Sequence, residues 1–204
     1  DQSRVNSQTS KLPATRPLVT YKPPLEDDTL AIASESMRET GNKSATVQAL
    51  APDHTGLTTQ QQPTLYWYTR TPMAVSFKLS KINKYGTRQL LEVKAGSEKT
   101  AGMQQLDLGK KKISLQPGNI YQCSVTPVTD KDSGSADAIS SGIIEKMKLG
   151  EGLTHRIEKS QGIDLVTVYA YEGIWYDALD TISSMIDKSP GDQGLLAIRA
   201  SLLD

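Results

Sequence analysis

Few side chains in this 204-residue chain have the type and spacing for bond chemistry. The two histidines are His54 and His155. His54 sits in Pro52-Asp53-His54-Thr55-Gly56, a turn by composition, and His155 opens a helical stretch. Neither has a Cys, a second His or a Glu at ligand or triad spacing, so neither a metal site nor a general base is expected. Asp130-x-Asp132-x-Gly134, with Asp137 beyond, has the opening of a calcium loop. That loop needs an oxygen ligand at its fifth position and a Glu at its twelfth; Gly134 and Ser141 stand there, so a polar loop fits better. Glu172, Asp177 and Asp180 share a helical stretch and read as a solvated face, not an acid–base pair. Lys110-Lys111-Lys112 reads as a β-turn with solubilising charge, contact with an anionic surface being the alternative. Cys123 is in phase with Tyr121 and Val125 and reads as core, where a thiol is inert. A single cysteine makes no internal disulfide and no cysteine-based zinc site. There is no glycine-rich phosphate loop and no serine in a nucleophile elbow. The expectation is no cofactor, no metal and no enzymatic activity.

The elements around these residues fall into four stretches. Residues 1–43 form a polar, proline-containing arm that cannot offset its own ordering entropy. Within it, Arg16 to Pro23 is extended by its prolines, and Leu18, Val19, Thr20 and Tyr21 could lie as an added or edge strand. Thr29 to Arg38 could form a short helix. Residues 44–129 alternate as short strands: 45–50, 64–69, 74–80, 89–95, 103–108, 113–115 and 120–128. Val75, Phe77 and Leu79 share one face, and Trp67 is a candidate core partner. The pattern predicts an antiparallel immunoglobulin-like β-sandwich. Residues 130–149 are a connector, in which Ile139 to Met147 has an ambiguous or helical pattern. Residues 150–204 are helical, with helices expected over 156–171, 174–188 and 192–203. The fold class is therefore α+β, a sandwich followed by a C-terminal helical hairpin, with an extended N-terminal arm.

One motif sharpens the sandwich. Leu115-Gln116-Pro117-Gly118-Asn119-Ile120-Tyr121 has the spacing of a tyrosine corner, in which the phenol bonds back to upstream backbone. No strand is evident after the one bearing Tyr121, so the sandwich is expected to have an open edge. Edges of that kind are normally covered or paired. The arm around Leu18 to Tyr21 is the candidate cover, from the same chain or a neighbour.

Two resemblances follow. Tyr169, Gly173, Trp175, Ala178, Ile182, Met185 and Pro190 fall at the spacings of a tetratricopeptide repeat, and the helical part resembles one such unit and the start of another. From about residue 44 onward the chain resembles the Domain of Unknown Function 928 family. The residues that carry this are Ala49-Leu50-Ala51-Pro52, Pro63-Thr64-Leu65-Tyr66-Trp67-Tyr68, the corner motif, and above all Gly173-Ile174-Trp175-Tyr176-Asp177-Ala178-Leu179. The resemblance implies an exported, cyanobacterial envelope or secreted protein and supplies no catalytic residues.

Net charge is zero, with 23 Lys+Arg and 23 Asp+Glu, which argues against a dedicated nucleic-acid binder. No apolar run approaches the roughly 18 residues of a membrane span. The first residue is Asp, as it would be after removal of a signal segment or in a shortened chain. Residues 44–149 carry 13 Lys/Arg against 8 Asp/Glu, and residues 150–204 carry 4 against 9. Opposed charges of this kind favour sandwich-to-helix contact within a molecule or head to tail between molecules. The leading expectation is an extracellular or periplasmic structural protein, a filament or surface-layer type subunit. It would assemble with copies of itself by arm addition to a neighbouring sandwich. The alternative is a monomeric periplasmic or cell-surface adaptor whose helical region grips another envelope protein through an apolar groove near Trp175 and Tyr171. A hydrolase-like enzyme ranks third, for want of a constellation.

Overall fold

The computed structural model describes residues 19–24, 46–128 and 139–204. Leu18, the helix expected over 29–38 and the calcium-like stretch Asp130–Asp137 lie outside the described residues. In chain order the strands are β1 Val47–Leu50, β2 Gly56–Thr58, β3 Thr64–Thr69, β4 Met73–Asn83, β5 Gly86–Ser97, β6 Gly102–Asp107, β7 Ile120–Pro127 and β8 Ser140–Lys146. The helices are α1 Glu151–Lys159, α2 Gly162–Tyr171, α3 Trp175–Lys188 and α4 Gln193–Leu203.

The strands form two sheets, ordered β1-β3-β6 and β2-β8-β7-β4-β5. Pairing is antiparallel except for β2 on β8. The order is that of an immunoglobulin-like sandwich: β1, β3 and β6 take the A, B and E places, and β4, β7 and β8 take C, F and G. Alternation explains the core. Val75, Phe77 and Leu79 point inward from β4, and Tyr121, Cys123 and Val125 from β7, all buried. Trp67 of one sheet meets Phe77 of the other, ring centroids 5.7 Å apart. The tyrosine corner is present: the Gln116 N–H donates to the Tyr121 hydroxyl oxygen at 2.9 Å, beside the fully buried Leu115.

Three expectations are corrected. The sandwich has its last strand: the ambiguous stretch is β8, paired with β7 from Ile120↔Glu145 to Val125↔Ser140. Its outer side is paired in turn, by Gly56–Thr58 running parallel to it. The open edge expected after β7 is therefore closed within the chain. Ile113–Leu115 is not a strand; its backbone instead closes the corner, with Ile113 N–H on Leu108 O and Leu115 N–H on Gln61 O. The helix expected over 156–171 is two helices, because the Ser160 N–H turns back to Ile157 O and Ser160 leaves α1 in extended conformation.

Candidate functional site

The segment Gly173 to Leu179 is the seam of the molecule. It spans the α2–α3 turn and the first turn of α3, and from Ile174 to Leu179 every residue is buried. The Tyr176 hydroxyl donates to Ile143 O of β8 at 3.0 Å, and the Trp175 indole N–H donates to Leu202 O of α4 at 3.2 Å. Burial pushes the Tyr176 phenol well above its usual 10. Asp177 accepts three bonds at the end of β2: from the hydroxyls of Thr58 and Thr59 and from the Thr59 N–H at 2.9 Å. Burial raises its carboxyl above the usual range, outweighing those donors. The reading of Asp177 as a solvated residue is thus corrected: it is 3% exposed. Asp180 accepts from the Tyr66 hydroxyl of β3 at 2.6 Å, and Glu172 pairs with Arg156 at 2.8 Å. These carboxylates fasten elements together.

The arm docks on the same seam. Val19 is buried, and its carbonyl accepts from the Ser201 hydroxyl of α4 at 3.3 Å. The Lys22 N–H donates to Ala170 O at 3.0 Å, and the Lys22 ammonium lies 4.9 Å from the centre of the Tyr171 ring. Gly173 has φ +72°, and a Cβ there would stand 3.0 Å from the Pro24 nitrogen and 3.1 Å from Lys22 O. Only glycine combines that left-handed conformation with so close a passage of the arm. Val19 and Tyr21 thus contact helices and a loop of their own chain, and Thr20 between them is exposed. Among the described residues the arm joins no sheet.

Tyr21 connects the arm to His54. Its oxygen is 2.8 Å from His54 Nε2, its hydroxyl reaches Gly173 O at 3.3 Å, and the two rings stack with centroids 5.7 Å apart. His54 Nδ1 is 3.2 Å from Asp53 Oδ1. Asp53, His54 and the Tyr21 hydroxyl thus stand in line. Burial, and then the Asp53 charge, raise the Tyr21 phenol far above 10, so at rest it keeps its proton. Sequence reading missed this line, since Tyr21 is 33 residues from His54.

Beside this line lies a cleft of about 780 Å³. The arm residues Tyr21 and Pro23, β1, the Pro52–His54 loop and α4 form its walls. Trp175, Leu196 and Leu202 give it an apolar side, while Tyr68 and Leu203 are 45% and 42% exposed. Arg199 lines both this cleft and a smaller cavity between α3 and β6, and among the described residues it has no ion-pair partner. The other expected motif residues are architectural: Trp67, Leu115 and Tyr121 are core, Pro117 and Gly118 form the corner turn, and Ala178 is fully buried in α3. Cys123 is buried with its thiol toward Gly142 O at 3.4 Å, and burial pushes it up to about 11. His155 lies on exposed α1, far in sequence from the cleft residues. Among the described residues no three His, Cys, Asp or Glu side chains gather as a metal site would require.

A family model, the Domain of Unknown Function DUF928, matches residues 31–204. No curated protein matches the chain. Among solved structures, the fibronectin(III)-like modules of Clostridium thermocellum CbhA are similar at 12% identity, covering 50% of this chain and 99% of that one, with a TM-score of 0.27. The periplasmic chaperone SfaE is similar at 10% identity, covering 57% and 66%, also at 0.27. The strand order carries the fold assignment independently of these likenesses.

Proposed function

The chain belongs to the DUF928 family, and from its geometry we infer a non-enzymatic exported adaptor that grips a partner protein in the cleft beside Trp175. The observation that carries this is the cleft itself: a space of about 780 Å³ with one apolar side, lined by aromatic and leucine side chains and by Arg199, which has no ion-pair partner among the described residues. Aromatic and arginine side chains in a partly desolvated groove are the common anchors of protein recognition. Burial raises the Tyr21 phenol on the cleft wall, so it keeps its proton at rest. Export rests on the family resemblance and is part of the proposal.

The test is site-specific photocrosslinking in the native cell from positions Tyr68 and Leu203, with exposed Lys99 as control. A discrete heterologous adduct from the cleft positions alone, with a monomer by light scattering, is expected. Adducts equal to those from Lys99 would sink the reading.

Self-assembly is the second reading, and one observation favours it. Among the described residues β5, twelve residues long, ends its sheet, so its outer side can accept an added strand. The arm donated by a neighbour would have to leave the helices on which Val19 and Lys22 now dock. Deleting residues 1–25 separates the two: an adaptor keeps its mass in solution, and an arm-linked polymer shrinks.

A further inference from the structure

Three stretches remote in sequence meet at one end of the sandwich. The β4–β5 hairpin turns there, with Ile82 level with Ile120 of β7 and Ile120 level with Glu145 of β8. The corner comes next, its Gly118 N–H donating to Lys146 O at 2.8 Å. The Lys110–Lys112 turn feeds that corner from β6 through Ile113 and Leu115. Each stretch is basic. The hairpin brings Lys81, Lys84 and Arg88, the turn brings three consecutive lysines, Lys146 ends β8 and Lys148 follows it. Among the described residues, the acids in or next to these stretches are Asp107, Glu145 and Glu151, and Asp107 lies 3.9 Å from Lys110.

The placement has an internal cost. Lys81 and Arg88 stand directly opposite each other across the hairpin, a register in which like charges repel. At the tip, Tyr85 is 87% exposed with the Lys84 ammonium 5.0 Å from its ring centre, and Leu149 is 40% exposed at the same end.

We propose that this pole docks on the anionic headgroup surface of a lipid bilayer, its cations on the headgroups and Tyr85 in the interface. The pairing of cations with an exposed aromatic tip is what an interfacial surface accepts and a dissolved polyanion does not require. A second copy would meet these cations with the exposed Glu151, Glu158, Asp164, Asp187 and Asp204 of its helices, so self-association is the rival outcome in the test. The docking is peripheral; among the described residues no helix is long and apolar enough to cross a membrane. It goes beyond the adaptor reading and stands without it.

The experiment is cosedimentation of the full chain with phosphatidylcholine vesicles, with and without phosphatidylglycerol. Binding is expected to the anionic vesicles alone and to weaken as salt rises. Replacing the three turn lysines together, Lys110→Gln, Lys111→Gln and Lys112→Gln, is expected to weaken it about a hundredfold. Tyr85→Ala is expected to weaken it several-fold. Equal binding to pure phosphatidylcholine, or full affinity in the triple variant, would overturn the proposal. So would retention of a soluble sulfated polysaccharide in preference to vesicles with no effect of Tyr85→Ala, or self-association that consumes the pole.

Discussion

The Tyr176 hydroxyl bonds the Ile143 carbonyl, joining the first turn of α3 to the middle of β8. Glycines make room for that ring. A Cβ on Gly56 would stand 2.6 Å from Tyr176 Cε2, and one on Gly142 would stand 2.2 Å from the Ala51 Cβ and 3.3 Å from the Tyr176 oxygen. The helix therefore docks only where two neighbouring strands carry no side chain.

Tyr176→Phe is expected to cost about 1–3 kcal/mol, since it strands a buried carbonyl. Gly142→Ala should cost a similar amount or more by overpacking. Denaturant midpoints measure both, and an unchanged midpoint in either variant would show that the seam tolerates slack.

Asp177 gives a pH signature. Its carboxyl is raised in the folded state, so the unfolded chain releases that proton first. Its contribution to stability is complete below the ordinary carboxylate value of about 4 and is lost as pH rises through the shifted value. The stability of the wild type relative to Asp177→Asn should therefore fall as pH is raised from about 4. A relative gain over that range would contradict the dominance of burial. Asp177→Ala, which leaves the Thr58 and Thr59 donors unmet, should cost about 1–3 kcal/mol at about pH 4 and less as pH rises.

Gly173 holds the arm. Gly173→Ala forces a side chain into a left-handed backbone and against Pro24. Limited proteolysis should then cut between Val19 and Pro24 faster than in the wild type, ahead of any cut in the sandwich. Tyr21→Phe, which loses the bonds to His54 and Gly173, should shift the cleavage rate in the same direction by a smaller factor. Equal rates in all three proteins would show that the arm is held elsewhere.

Cys123 should be silent toward thiol reagents in the native protein. Its thiol is buried and raised to about 11, so little thiolate forms near neutrality. Disulfide-exchange labelling followed by absorbance is expected to show no reaction until denaturant is added. Prompt labelling would mean that β7 and β8 part readily.

Much of the sandwich is legible in the sequence because strands with one buried face alternate. β4 declares itself through Val75, Phe77 and Leu79, and the corner through the spacing from Leu115 to Tyr121. β8 hides because it does not alternate: Gly142, Ile143 and Ile144 are buried in succession, with β7 and β2 on its flanks and Tyr176 against it. β2 is three residues long and carries no period at all. For the site, the motif from Gly173 to Leu179 is visible as an unusual string, but its role is not. Asp177 looks like a surface residue until Thr58, 119 residues away, is seen to reach it. The cleft is equally hidden, since Tyr21, Tyr68 and Arg199 share no local pattern.

The attachment of Val19 and Tyr21 to Ser201 and Gly173 spans 182 and 152 residues. The ribosome therefore releases Val19 and Tyr21 well over a hundred residues before the groups that moor them. Until Gly173 and Ser201 emerge, these contacts cannot form, and the strands between can pair first. A reporter fused immediately ahead of Val19 would therefore disturb this late docking and spare the earlier pairing of the strands.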